Sequence, residues 1–236
     1  MRGILYGIGV GVGEPENITL KAVNVIKESD IICIPKKEKT ECRAYNSVKS
    51  VFPGIEEKEI FCFDFEMIKD RDVLWNKHRE IFETVKKPIE EGKTVSFLTI
   101  GDPAVYSTFS YIAEIARKEG IEVRTISGIN SFCASASRLG ISLCDGEEQL
   151  HVISDTKDIE EALNLPGTKV IMKCVRSMSF IKGCLIEHEK NCMKKGTKLE
   201  VYAVSECGLS EEKLFFGIEE LPEDAKYLMT IIVKEK

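Results

Sequence analysis

The chain is short of the residues from which ordinary metal and redox sites are built. Its 236 residues include only three histidines, His78, His151 and His188, and these share no ligand spacing. Nine cysteines are present, but the number is odd and no C-x-x-C pair occurs among Cys33, Cys42, Cys62, Cys133, Cys144, Cys174, Cys184, Cys192 and Cys207. Neither a zinc knuckle nor a thioredoxin-type pair is supported, and no metal site is expected. Several of these thiols fall in apolar runs, where cysteine behaves as a small hydrophobe, so they read as reduced and structural. His188 and Cys192 have the spacing to meet on one helix face, with a surface location expected.

A basic excess is also missing. Thirty-three Lys and Arg stand against 39 Asp and Glu, a formal net charge of -6, which argues against nonspecific nucleic-acid binding. No apolar run approaches the roughly 20 residues that span a bilayer. The start, Met1-Arg2-Gly3-Ile4-Leu5-Tyr6-Gly7, enters a strand without a small-residue cleavage site, so the expected location is cytoplasmic.

What is present is an alternation of strand and helix signals. Gly3 to Ile8 reads as a strand, followed by a glycine loop and a helix capped by Asn17, with Leu20, Val23 and Ile26 at helical spacing. Ile31 to Ile34 reads as a second strand closed by Pro35. A helix over 72–91 carries Leu74, His78, Ile81, Val85 and Ile89 on one face, with Pro88 in its last turn and Gly92 after it. Thr94 to Ile100 is the next strand, and a helix then runs to about Lys118. Beyond Gly120, strands are expected at Glu122 to Ile126, Leu150 to Ile153, Lys169 to Lys173, Leu199 to Ala203 and Tyr227 to Val233. A small-residue helix ends at Gly140. The pattern predicts an α/β protein of two α/β domains, 1–119 and 120–236, the first with a mostly parallel sheet.

Three turns carry the chemistry. Gly101-Asp102-Pro103 follows a buried strand, where ligands gather in open α/β sheets. Ser127-Gly128-Ile129-Asn130 is a second glycine turn after a strand, leading into the small-residue helix. The first loop, Gly7-Ile8-Gly9-Val10-Gly11-Val12-Gly13, invites a dinucleotide reading but fails the G-x-G-x-x-G spacing at Val12 and Glu14, and it lacks the Gly-Lys-[Ser/Thr] of a phosphate loop. A nicotinamide-dependent oxidoreductase is thereby disfavoured, while a noncatalytic tetrapyrrole or nucleotide binding module stays open.

In chain order these pieces resemble the tetrapyrrole methylase family. The glycine loop followed by Ile18-Thr19-Leu20-Lys21-Ala22, then Gly101-Asp102-Pro103, then Gly128-Ile129-Asn130-Ser131-Phe132 match its first three motifs. Val170 to Lys173 and Tyr227 to Val233 match two strands of its carboxyl domain. The resemblance implies S-adenosyl-L-methionine as methyl donor, the mixed second sheet, an active-site cleft between the domains, a tetrapyrrole substrate and a homodimer. Carried over by position, Ile100, Gly101, Asp102 and Val105 are expected to hold the methionine end of the donor, with Asn130 and Ser131 beside it. Met172, Ala203 and Cys207 are expected near the adenosine. The substrate is expected against Gly9, Gly11 and Gly13 and the segment carrying Lys36, Arg43 and Tyr45. No catalytic base is assigned.

Within the family, Leu5 to Gly11, Asp102 to Phe109 with Tyr111, and Arg138 to Leu143 resemble most the branch that methylates the C-20 meso carbon of precorrin-2, with or without cobalt. The nearest alternative is a methylase of uroporphyrinogen or of a later corrin intermediate.

Overall fold

The computed structural model describes residues 3–65, 70–154, 158–173, 178–224 and 228–236, the side chain of Arg71 excepted. The chain divides into two compact units, Met1–Asn130 and Ser131–Lys236.

The first unit is built on five strands, β1 (Ile4–Gly9), β2 (Ile31–Ile34), β3 (Glu59–Cys62), β4 (Val95–Thr99) and β5 (Glu122–Ile126). Their order is β3-β2-β4-β1-β5, and every pairing is parallel. Four helices connect them: α1 (Leu20–Glu28), α2 (Arg43–Val51), α3 (Arg71–Glu90) and α4 (Phe109–Lys118). Parallel strands covered on both faces must be apolar throughout, and all four residues of β2 are buried.

Two cores flank this sheet. Ala22 and Ile26 of α1 and Ala44, Tyr45 and Val48 of α2 pack against Ile8, Ile32 and Leu98 on one face. Phe82, Val85 and Ile89 of α3 and Ile112 and Ala116 of α4 pack against Leu5, Ile31, Val95 and Phe97 on the other. This segregation follows from right-handed crossovers. The steps β1 to β2 to β3 run toward one edge and place their helices on one face. The steps β3 to β4 to β5 run the other way and place theirs opposite. The two directions of travel part between β1 and β4, and that switch point is where an open sheet offers its carboxyl ends to a ligand.

The units part after Asn130, whereas the sequence reading divides the chain at 119/120. The reason is β5, which pairs with β1 from Ile4↔Glu122 to Ile8↔Ile126 and so belongs to the first sheet. Gly120, with φ +72°, only terminates α4. Thr19, not Asn17, caps α1, its Oγ1 accepting from the Ala22 N–H at 3.1 Å. Helix α2 and strand β3 have no counterpart in the sequence reading, because both are short, nine and four residues, and α2 follows a Lys/Glu-dense loop.

The second unit has strands β6 (Leu150–Ile153), β7 (Thr168–Met172), β8 (Leu199–Ser205), β9 (Lys213–Phe216) and β10 (Met229–Glu235), in the order β6-β7-β10-β8-β9. Only β6 and β7 are parallel; β10 pairs antiparallel with β7 and β8, and β9 with β8, so the sheet is mixed. Strand β9 was not foreseen, and Tyr227, the expected start of the last strand, lies outside the described residues. Helices α5 (Ser131–Leu139), α6 (Ile159–Leu163) and α7 (Met178–Lys194) complete the unit. Its main core joins Ile159, Leu163, Ile181 and Leu185 to Ile171, Val201, Ala203 and Ile231. His188 and Cys192 are buried on the inner side of α7, not at the surface as their polarity suggested.

Candidate active site

The switch point of the first unit is a crossing of main chains. Gly9 ends β1, Gly101 follows β4, and Gly128 follows β5. A Cβ added at Gly9 would lie 2.5 Å from the Gly101 carbonyl oxygen and 2.6 Å from the Gly128 nitrogen. One added at Gly128 would lie 2.2 Å from that same oxygen. No side chain of any size fits there, so the three loops touch through backbone alone.

Hydrogen bonds lock the crossing. The Gly101 N–H donates to the Gly11 carbonyl at 2.8 Å and the Val10 N–H to the Thr99 carbonyl at 3.0 Å. Asp102, 9% exposed, binds both sides of the turn: Oδ1 accepts from the Ala104 N–H at 2.7 Å, Oδ2 from the Gly128 N–H at 3.0 Å. The carboxylate therefore shapes the loops, and its charge is met by two backbone donors. Gly101 itself is bare on its free side. With φ +73° and nothing within 4 Å of a Cβ position, it presents main chain to open space, a surface that a bulky ligand can approach closely.

Further along this loop, the Val105 N–H donates to the Asp102 carbonyl at 3.2 Å, and Tyr106 adopts φ +49°. A non-glycine residue in that region is strained, and such strain collects at ligand-binding turns. Thr99 Oγ1 and Ser107 Oγ lie 3.1 Å apart, and Ser107 Oγ accepts from the Phe109 N–H at 3.2 Å, starting α4. A shallow pocket at the carboxyl ends of β2 and β4 is lined by Pro35, Phe65, Phe97, Thr99, Ser107 and Phe109. Behind it His78 is buried, stacked on Tyr111 with ring centroids 4.8 Å apart, and among the described residues neither ring nitrogen has a partner. Burial holds the His78 pKa below its ordinary value, so the ring is neutral at pH 7 and acts as an aromatic plate.

Of the residues expected against the substrate, Gly9 and Gly11 stand in the crossing. Gly13, with φ +117°, accepts from Ser47 Oγ at 3.3 Å. Lys36 is exposed just past β2, and Arg43 is exposed at the start of α2. Tyr45 departs from the expectation: its ring is 4% exposed and belongs to the core against the sheet, because α2 turns that face inward.

In the second unit Ser131 opens α5, and its Oγ accepts from Thr230 Oγ1 at 3.3 Å. Met172 ends β7 opposite that same Thr230. Ala203 departs from the expectation, its side chain being fully buried in the core with Val201 and Ile231. Cys207 is buried after β8, preceded by Glu206 at φ +55°. Sequence reasoning passed over Glu212, which looks like surface charge in Glu211-Glu212. Its Oε2 accepts from the Gly208 N–H at 2.6 Å and from Arg138 Nε at 3.1 Å, fastening the Cys207 loop to α5.

The chain belongs to the tetrapyrrole (corrin/porphyrin) methylases, whose family pattern it matches over residues 4–222. Among similar proteins, a probable cobalt-precorrin-2 C(20)-methyltransferase of Methanocaldococcus jannaschii is 39% identical over 170 residues, covering 72% of this chain and 71% of that protein. The cobalt-precorrin-2 C(20)-methyltransferase of Salmonella typhimurium is 29% identical over 245 residues, covering 100% and 98%. A solved cobalt precorrin-4 methyltransferase superposes with a TM-score of 0.73 at 17% identity, over 98% of this chain and 94% of that one, a likeness of fold. The uroporphyrin-III C-methyltransferase of Thermus thermophilus, solved with S-adenosylhomocysteine, gives 0.69 at 19% identity, over 98% and 97%.

Proposed function

We propose that this chain transfers a methyl group from S-adenosylmethionine to the C-20 meso carbon of precorrin-2, preferentially with cobalt in the ring, during cobalamin synthesis. The observation that carries the reading is the side-chain-free crossing of Gly9, Gly101 and Gly128, on a chain whose similar relatives bear the C(20)-methyltransferase name. The Methanocaldococcus and Salmonella relatives carry cobalt in their names, which favours the metal-bearing substrate.

The donor supplies a methyl already activated on a sulfonium, so the protein's task is orientation and exclusion of water. Ile100, Gly101 and Val105 offer backbone and a small apolar wall to the methionine end, with Asn130 beside them. Asp102 keeps that wall in shape through its two backbone bonds. Ser131, Met172 and the loop at Cys207 are candidates for the adenosine end. Lys36 and Arg43, on a chain of net charge -6, supply local cations for substrate carboxylates, Arg43 through its two-pronged guanidinium. The family resemblance also supports a homodimer working in the cytoplasm, and among the described residues no helix is long and apolar enough to cross a membrane.

The test is methyl transfer from labelled S-adenosylmethionine to precorrin-2, with and without cobalt, and location of the new methyl by NMR. Labelling at C-20 is the expected result. Transfer only to uroporphyrinogen or to a later corrin, or no transfer with tight NAD binding, overturns the reading. Sedimentation of the purified chain tests the dimer.

A further inference from the structure

The second unit holds a cluster of donor atoms that methyl transfer does not use. His188 and Cys192 stand one turn apart on the inner face of α7, with side chains 7% and 2% exposed as residues. Glu235 closes β10 beside them, and His188 Nε2 lies 3.1 Å from its Oε1. The fully buried Lys169 of β7 forms an ion pair with the same oxygen. One donor atom each from His188, Cys192 and Glu235 lies within 4.8 Å of the other two.

We propose that His188, Cys192 and Glu235 form a three-ligand site for a borderline-soft divalent cation of the Zn2+ type, inside the second unit and apart from the glycine loops. The Cys192 thiol borders the apolar core of the unit and also lies within 4.8 Å of imidazole and carboxylate donor atoms, which packing alone does not require. The i, i+4 spacing makes His188 and Cys192 a chelating pair, and Glu235 at the end of β10 supplies the third donor. Sulfur with nitrogen and oxygen suits Zn2+ and is unlike the all-oxygen sets of Mg2+ and Ca2+. Tetrahedral zinc ligands at about 2.0–2.3 Å stand about 3.3–3.8 Å from one another, so side-chain shifts of about 1 Å close the set. The side chain of Glu235, 30% exposed, is the way in from solvent.

Binding breaks the Cys192 S–H bond; the proton leaves to solvent, and the sulfur lone pair forms the bond to the metal, with no change of oxidation state. The Lys169 ammonium competes with the ion for the carboxylate, so the site binds more weakly than a preformed structural zinc centre. The distance of His188 and Cys192 from any C-x-x-C or paired-His pattern is why their spacing alone suggested no site.

The probe is Co2+ added to the full chain after treatment with chelator, read by the thiolate-to-cobalt charge-transfer band and by its loss on adding Zn2+. The expected result is a band in the wild type, none in Cys192→Ser, at least tenfold weaker binding in His188→Gln and at least tenfold tighter binding in Lys169→Met. Circular dichroism checks that each variant folds, and His188→Gln carries the test should Cys192→Ser not fold. No band in the wild type, a band that survives in folded Cys192→Ser, or affinities unmoved by both other variants overturns the proposal. Neither donor nor tetrapyrrole is in the assay, so its failure leaves the methyltransferase reading intact.

Discussion

In the first unit the buried carboxylate, Asp102, faces two backbone N–H groups in loops; in the second, Glu235 faces two side chains, Lys169 and His188, where strand and helix meet. Asp102 sits at strand ends and fixes the outline of a ligand surface. Glu235 sits at the end of β10 and joins β7 and α7 to it. The contrast shows how a carboxylate's partners, backbone in one case and side chains in the other, set its consequences. A carboxylate bonded to loop backbone governs shape and hence affinity, whereas one that neutralises a buried ammonium governs stability.

The largest effect separating the two units is expected at the glycine crossing. Gly9→Ala forces the Gly101 and Gly128 loops apart; it should cost about 2 kcal/mol or more in urea unfolding. It should also abolish S-adenosylhomocysteine binding in calorimetry. Retained binding would break the link between the crossing and the donor. In the second unit, Glu235→Gln leaves the Lys169 ammonium buried without a counter-charge and should cost about 3 kcal/mol of stability. Donor binding should survive that change, because Glu235 ends β10 away from Thr230, where Ser131 and Met172 lie; a parallel loss of both would erase the contrast.

Smaller changes sharpen it. Asp102→Asn exchanges one accepting oxygen for an amide that cannot accept from a backbone N–H; donor affinity should fall about tenfold, with a stability cost of about 1–2 kcal/mol. Arg43→Ala should raise the KM for the tetrapyrrole several-fold while leaving kcat near its starting value, and an unchanged KM removes Arg43 from the substrate surface. The smallest effect belongs to Glu200, whose carboxyl is held at about 2 by Lys236 and Lys198 against an ordinary 4.5. A lowered folded pKa stabilises above pH 4.5, and that contribution is lost as pH falls from 4.5 toward 2. Glu200→Gln should therefore flatten acid unfolding in that window, by less than about 1 kcal/mol for ion pairs so close to solvent.

Strands and turns with strong local signals were legible from residue order. The four-residue run Ile31–Ile34 could only be a strand buried on both faces, and Gly101-Asp102-Pro103 announced a turn at a strand's end. Helix α3 was equally plain, with Ile81, Val85 and Ile89 one turn apart and Gly92 after it, although its cap, Asp70, lies before the expected start at 72. Elements that rest on tertiary contact were not. Helix α2, nine residues long, is held by Ala44, Tyr45 and Val48 meeting the sheet, and β9, four residues long, by pairing with β8; segments so short do not stand alone. Tyr45 and Ala203 illustrate the limit for site residues. Both belong to stretches of the right kind, yet the direction of a side chain depends on which face an element turns toward its neighbours.

Local chemistry thus decided where the chain must bend without side chains, since only glycine tolerates the conformations at Gly11, Gly13 and Gly101, and which runs must be buried. Three-dimensional packing decided that β5 joins the first sheet and that Gly9, Gly101 and Gly128 meet. It also decided that His188, Cys192, Lys169 and Glu235 converge inside the second unit. Those are contacts between segments far apart in the chain, and no neighbouring residue encodes them. They arise when strand order and helix orientation bring distant atoms within a few ångströms.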